Sequence, residues 1–497
     1  MTFDKAHARS PLGLLTLAYL ALPNLIFFVG WLKPALALLP LLSIALAFRF
    51  EFSKSQITIR AIRPDSRSLR PLIVSGLLAL VWVAFSGAGG FGTANFDWAK
   101  HFSVLRDLIA EPWPVVYQDP ATADVYRGKP LVYYVGYYLP AAALGKVFGW
   151  TAANVALALW TWLGTWLTFT WLNRLVRPRS FALLIGLFVF FSGLDVVGNW
   201  LNGIVTKPGD HIEWWTDWLF QYPSMTSQLF WAPQHTLPAW LGTALLLEGL
   251  VSEHQDRFTG GTRLSYHWAP LLCLVWSPLC VLGFVPLWAL SAWRERRDFV
   301  RPWPVLMFGL MAVLIFACFY QANHSQFPMH VNKLLTHPKG GPYYLQFVVL
   351  DLLVLCLVPL IVSDHQPWPQ VLWCAFGCLL LVPLYRIGQN NDFAMRSSAP
   401  LLFCLFVCWA RALPLGWQRR EAVVLVAAAT YVLGAVTPLN ELIRGSRAPG
   451  FHPPSFEQVP SIPRVNAEEK YIAAQYIGEL DTVFFKYLAR ARPRSTN

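Results

Sequence analysis

Apolar runs of roughly 18–22 residues recur along this chain, each long enough to cross a hydrocarbon core of about 30 Å as an α-helix. The strands of a membrane barrel alternate apolar and polar residues with period two, and these runs do not. Backbone groups in lipid must pair within their own segment, which leaves a helical bundle. The composition agrees: 56% of the 497 residues are hydrophobic, 13% are charged and 24 are tryptophan. The expected fold class is an all-α polytopic membrane protein of roughly 10–13 transmembrane helices.

The formal net charge of +12 would suit a nucleic-acid binder. The basic residues, however, gather in short loops between apolar runs, where they set topology and contact membrane lipid, so no nucleic acid partner is expected. The stretch from Arg49 to Arg70 holds Lys54, Arg60, Arg63 and Arg67 against few acids and reads as cytoplasmic. The cysteines at 273, 280, 318, 356, 374, 378, 404 and 408 all fall in or beside apolar runs. They form no evident extracellular disulfide framework, and the helical spacing of Cys374/Cys378 and Cys404/Cys408 suits small packing residues. The run from Pro11 to Trp31 is too long for a signal-peptide core and reads as a retained first helix.

Loop charge then orients the rest. The first helix runs outward, a second returns, and residues 71–88 lead out again, so that Gly87–Gly92 delivers Asp97 to the outer face. Residues 98–110 form a surface helix whose apolar face is Trp98, Phe102, Leu105 and Ile109. Arg174, Arg177 and Arg179 look cytoplasmic, which requires an odd number of crossings after Asp97. Residues 151–172 make that crossing, and 131–149 lies along or dips into the outer leaflet. Residues 264–292 are too short for two full spans, leaving a broken hairpin or a single span. Residues 1–442 thus form the helical domain, with outer loops near 89–150, 195–235, 322–344 and 388–398. Residues 443–497 form a polar tail on the outer face, with a short helix from Ala467 to Arg490. No internal repeat stands out.

Two polar clusters on the outer face carry the chemistry. In Asn95-Phe96-Asp97-Trp98-Ala99-Lys100-His101, Asp97 is placed to act as a general base, and Lys100 and His101 bias its carboxylate toward the charged form. The bland alternative is an N-cap for the helix that follows. In the late cluster, Arg396 presents a guanidinium fork that suits phosphate oxygens, and Asp392 four residues earlier offers the alternative of an i,i+4 ion pair. Arg386 competes for the phosphate role. Asp195 ends a helix in the second outer loop, where the bland reading is a solvated loop carboxylate. His235, in Pro-Gln-His, binds a sugar hydroxyl or phosphate, or is structural. Lys333, Lys339 and the histidines 324, 330 and 337 are candidates for lining a donor site, at spacings that fit no tight metal motif. Tyr133 and Tyr134, with Tyr137, Tyr138 and the tryptophans near 214–218, suit sugar stacking, a prenyl groove or interfacial anchoring.

An Asp in the first outer loop, an amphipathic juxtamembrane helix after it, and Pro130-Leu131-Val132-Tyr133-Tyr134 together resemble the type C glycosyltransferases (GT-C). The resemblance covers the layout of roughly residues 71–200 and, more loosely, the Asn390–Arg396 loop. It implies a GT-C-like bundle with juxtamembrane helices in the first outer loop, Asp97 as catalytic base and Asp195, in the second outer loop, as a second catalytic acid. The reaction implied is inverting transfer of a sugar from a polyprenyl-phosphate donor to a glycan, lipid or protein acceptor. The chain departs from the pattern in an extra helical pair at the start and in lacking an Asp-x-Asp in the first loop. Asp97 and Asp195 supply two carboxylates where a divalent ion needs several oxygen ligands, so a metal-independent mechanism without cofactor is favoured over one using a divalent cation.

The expectation is a glycosyltransferase of the bacterial inner (plasma) membrane with its active site facing the periplasm. Its rivals are a transporter or flippase of a lipid-linked or soluble solute, which would place its charges near the midplane of repeated halves, and a non-enzymatic scaffold for envelope assembly.

Overall fold

The computed structural model describes residues 11–53, 66–118, 126–259, 266–294, 303–323, 329–331, 337–362, 364–387, 391–419, 422–465 and 473–491. Helices α1 (Pro11–Trp31) and α2 (Pro34–Ser53) form a hairpin, and α3 (Ser66–Val83) leads into a 3-10 turn at Ala88–Gly90. Next come α4 (Trp98–Ala110), α5 (Leu139–Val176), α6 (Phe181–Val189), α7 (Asp195–Leu201), α8 (Met225–Trp231) and α9 (Pro233–Thr259). They are followed by α10 (Ala269–Leu272), α11 (Pro278–Arg294) and α12 (Trp303–Gln321). After strand β1 (Met329–Val331), α13 (Gly340–Phe347) continues through a π-helical turn at Val348–Leu353 into α14 (Val354–Ile361). The chain closes with α15 (Trp368–Leu381), β2 (Tyr385–Ile387), α16 (Asp392–Gln418), α17 (Val423–Gly434), α18 (Val436–Gly445) and an irregular tail. The two short strands pair antiparallel, Met329 opposite Ile387.

Among the described residues, 5 helices are long and apolar enough to cross a membrane: α1, α5, the α13–α14 run, α16 and the α17–α18 run. Shorter apolar helices, among them α2, α3, α11, α12 and α15, accompany them. Several polar groups inside the bundle are spent locally or on a neighbour. Thr161, Thr165 and Thr168 of α5 each donate to the carbonyl four residues back, at 2.8–2.9 Å. Asn24, buried in α1, donates to the Leu272 carbonyl at 2.8 Å and ties α1 to α10. Small residues let helices approach: a Cβ added at Gly283 of α11 would stand 3.0 Å from Pro400 Cδ of α16.

The bundle has two unlike ends. One gathers ion pairs, Arg174 of α5 with Glu248 of α9 (Nε to Oε1, 2.9 Å) and Arg411 of α16 with Asp364 (2.7 Å). The other carries α4, α7, α8 and the tail, which crosses it through β-bridges at Phe91–Phe451, Leu131–Ile477 and Leu32–Ala489.

Three local expectations can be compared with these elements. The chain from Leu139 to Val176 is one helical run, but it breaks at Gly149 (φ 84°, ψ −177°), where the sequence reading divides 131–149 from 151–172. Residues 266–294 make the broken hairpin: α10 is a single turn, and Ser291 Oγ of α11 lies 3.3 Å from His267 Nδ1, so the two arms run side by side. The short helix expected from Ala467 to Arg490 is not continuous over its described part: Ala473 and Ala474 are helical, and helix returns at the π-helical turn Phe484–Leu488. Between them the backbone is committed elsewhere, Tyr476 O to Val132 N (2.8 Å), Gly478 N to Pro130 O (2.9 Å) and Gln475 O to Asn323 Nδ2 (2.7 Å).

Candidate functional site

The start of α4 is fastened to the end of α8. Asn95 Nδ2 and Trp98 Nε1 both donate to the Phe230 carbonyl, at 2.9 and 3.0 Å. The Trp98 indole lies against Gly87, where φ is 85° and an added Cβ would stand 2.7 Å from Nε1, so glycine is required on both counts. Between them the Asp97 N–H donates to Asn95 Oδ1 (3.0 Å). Asp97 does hold the N-cap position of α4, but its carboxylate makes no capping bond there. Instead it meets Lys100 Nζ at 2.5 Å and keeps 18% of its side chain exposed. Burial pulls this carboxyl upward, but the Lys100 ammonium bonded to it, with Arg396 across the chamber, outweighs burial and holds Asp97 below its ordinary value. Lys100 is raised in turn: burial lowers it, and the bond to Asp97 more than compensates.

Asp97 opens on a chamber of about 580 Å³ whose walls come from distant parts of the chain. Lys100, His101, Tyr133, Tyr134 and His235 line it from one side, and Asp392 and Arg396 from α16 line it from another. The fork of α16 is set by Asn391, a left-handed residue (φ 56°) whose Oδ1 caps Ala394 N at 3.4 Å and whose Nδ2 donates to Leu219 O at 3.1 Å. Arg396 Nη2 lies 3.4 Å from Asp392 Oδ1, a long contact for an ion pair. His101 uses both ring nitrogens in the wall, Nδ1 with Tyr138 Oη (2.5 Å) and Nε2 with Trp231 O (3.1 Å). It therefore offers a substrate no ring nitrogen, and its place is to hold α4 in position. His235 Nδ1 is 2.6 Å from Ser277 Oγ, and Nε2 has no hydrogen bond among the described residues. The Tyr133 ring packs at a tilt against Tyr476 at 4.1 Å and Tyr134 at 4.6 Å, so the tail contributes a ring to the same wall.

The third side is aromatic. Trp214 stacks on Trp218 at 3.8 Å, an arrangement held by positive φ at Asp217 (52°) and Trp218 (62°). Trp231 lies between Phe96 (4.9 Å) and His211 (4.5 Å), with the Arg444 guanidinium 4.8 Å above its ring. Behind the rings, Glu441 accepts from His211 Nδ1 (2.7 Å) and Trp231 Nε1 (2.8 Å) and pairs with Arg444. Glu213 accepts from Gln221 Nε2 and Ser224 N, both at 2.9 Å. Burial alone would lower His211, but its bond to Glu441 and the nearby Glu213 raise it instead.

Asp195 does not join this lining. It stands at the first position of α7, is 1% exposed, and accepts from Thr437 Oγ1 (2.8 Å), Trp215 Nε1 (3.1 Å) and Ser192 Oγ (3.2 Å). Its carboxyl is raised by burial and by Glu213 beside it. The reason is local: α7 folds beneath the 210–224 loop and turns the acid toward α18, where it is neither catalytic wall nor solvated loop carboxylate. Arg386 lies on β2 outside the lining. Lys339 Nζ donates to Tyr343 Oη (3.3 Å), and His337 Nδ1 accepts from Lys339 N (3.2 Å), both away from the chamber. His324 and Lys333 lie outside the described residues, as does the His330 side chain.

The arrangement combines a partly exposed carboxylate held in its charged form, a guanidinium facing the same space, and a slab of indole rings. Such a chamber can accept a hydroxyl proton at one wall and an anionic group at another. Sequence reasoning missed His211, Glu213, Trp231, Tyr476 and the glutamines 228 and 234 as lining residues. The acids and aromatics crowded between Asp210 and Trp231 were the available signal. No family model matches this chain, and neither does any curated protein or solved structure.

Proposed function

We propose that this protein is a GT-C-like glycosyltransferase of the bacterial inner membrane, moving a sugar from a polyprenyl-phosphate donor to an envelope acceptor on the periplasmic side. The observation that carries this reading is the convergence of the Asp97 carboxylate and the Arg396 guanidinium on one 580 Å³ chamber from opposite halves of the chain. In the reaction, Asp97 takes the proton of the acceptor hydroxyl as its oxygen attacks the anomeric carbon. The bond from that carbon to the phosphate oxygen breaks, and the departing phosphate charge is taken up by Arg396. One displacement inverts the anomeric centre. Lys100 keeps Asp97 ionised before attack, and the Trp214/Trp218 and Tyr133/Tyr134 rings offer flat apolar faces to a pyranose or a prenyl chain.

The test is transfer by purified protein from a panel of polyprenyl-phosphate hexoses into envelope extracts. Asp97→Asn is expected to lower the rate by about 10²–10⁴-fold, and Arg396→Ala by about 10²–10³-fold. Wild-type rates in a folded, membrane-inserted Asp97→Asn protein would sink the proposal.

One observation favours the transport reading. Asp351 sits in the π-helical turn of an apolar helix, is 2% exposed, and its Oδ1 has no hydrogen-bond partner. Ionisable groups so placed often mark solute or proton pathways. Solute movement into vesicles by protein that transfers no sugar, abolished by Asp351→Asn, would establish it.

A further inference from the structure

We propose that a second cavity, at the end of the bundle opposite the chamber, binds a phosphate group carried by an anionic phospholipid or by a small soluble phosphate. This cavity measures about 280 Å³ and is lined by Arg174, Arg177, Arg411, His365, Trp368 and Glu248, with neighbouring backbone. Arg411 lies 15 residues beyond Arg396 on α16, about 22 Å along the axis at 1.5 Å per residue. The two cavities are therefore separate.

Among the described residues, Arg174 gives Nε and Nη2 to Glu248 Oε1 and leaves Nη1 uncommitted. Arg411 gives Nε to Asp364 (2.7 Å) and Nη1 to the Leu175 carbonyl (2.7 Å), leaving Nη2 without a partner among the same residues. Arg177 has no side-chain hydrogen bond or ion pair among the described residues. Three guanidiniums thus face one space with unspent N–H groups, and the Glu248 carboxylate on the same wall is already engaged by Arg174. Guanidinium forks match tetrahedral oxyanions, and the Trp368 ring packs against one of them, its centroid 4.4 Å from the Arg411 guanidinium. Two arginine charges are offset by Glu248 and Asp364, and Arg177 supplies the excess. Basic pockets between helices at this face of a membrane protein suit lipid headgroups.

Arg177 also provides a clean test. It caps α5 in the left-handed conformation (φ 55°), where glycine is the favoured residue, so Arg177→Gly removes the charge while suiting the backbone. Detergent-purified protein is titrated with phosphatidylglycerol and with phosphatidylcholine and followed by native mass spectrometry. The wild type is expected to hold phosphatidylglycerol in preference. Arg177→Gly and Arg177→Glu should each weaken it by about tenfold, while Arg179→Glu, exposed and outside the lining, should not. Millimolar glycerol 1-phosphate that displaces the lipid assigns the site to a soluble phosphate; failure to displace assigns it to a headgroup. No preference in the wild type, or equal loss in the Arg177 and Arg179 variants, overturns the proposal.

Discussion

Tyr138 donates its hydroxyl to Nδ1 of His101 across 2.5 Å, while the opposite ring nitrogen donates to the Trp231 carbonyl at 3.1 Å. A carbonyl can only accept, so Nε2 carries a proton, and burial keeps a second proton off Nδ1. Burial pushes His101 down to about 4, against the pull of Asp97. In the unfolded chain it returns to about 6.5. A depressed folded value means that the stabilisation is fully present above 6.5 and is lost as pH falls toward 4. Asp107, raised to about 6 chiefly by burial, slopes the other way over part of this window, losing its contribution as pH rises. The comparison that isolates His101 is therefore between wild type and His101→Gln. Thermal unfolding from pH 7.5 to 4.5 should show a steeper acid decline in the wild type, and parallel curves would count against this role.

Lys100 is the next lever. Its ammonium is what keeps the half-buried Asp97 ionised, so Lys100→Met leaves burial to push the carboxyl upward. The base must be deprotonated to act, and the acid limb of the pH–rate profile should move to higher pH, with activity recovered in alkaline buffer. An unshifted limb with a uniformly lower rate would mean that Lys100 contacts substrate and does not tune the base.

The convergence of Asp97 and Arg396 was legible because each polar cluster adjoins an apolar run, and loop charge counts the crossings between them. The helical character of the spans was legible for the same reason. What the pattern could not show was assembly among irregular segments. Trp231 and His211 meet through a loop without periodicity, held by Glu441 some 200 residues on. Tyr476 reaches Tyr133 only because the tail gives its backbone bonds to residues near Pro130 and Asn323. Asp195 reads as a site acid through the GT-C resemblance, which places an acid in the second outer loop, and nothing in its neighbours' identities signals that Thr437 and Trp215 enclose it.

The segment before Asp195 is clamped. A Cβ added at Gly193 would stand 2.8 Å from Asp351 Cα, and one at Gly434 of α17 would stand 2.7 Å from the Ser192 carbonyl oxygen. Leu194 N donates to Leu350 O at 3.0 Å between them. Gly193→Ala should therefore cost about 1–3 kcal/mol, read as a lower unfolding midpoint in detergent. Gly186→Ala in α6, where an added Cβ meets nothing within 4 Å, should be neutral or stabilising by up to ~1 kcal/mol. Equal loss in both variants would mean that the clamp is not what limits stability here.

Asp392 separates a phosphate-holding Arg396 from an ion pair that merely closes the start of α16. Its Oδ1 is 3.4 Å from Arg396 Nη2, near enough to compete with an incoming anion and too far for a strong charge-assisted bond. Asp392→Asn removes one negative charge from the chamber wall and leaves a neutral oxygen in its place. If Arg396 receives phosphate, a short-chain prenyl phosphate should bind the variant tighter by about three- to tenfold, and added salt should narrow the difference. The same ligand should bind Arg396→Ala more weakly, and the gain from Asp392→Asn should vanish in the double variant, because the two substitutions act on one interaction. A gain that survives without Arg396 would assign the effect to the general field of the chamber, with Lys100 as the remaining cation on that lining.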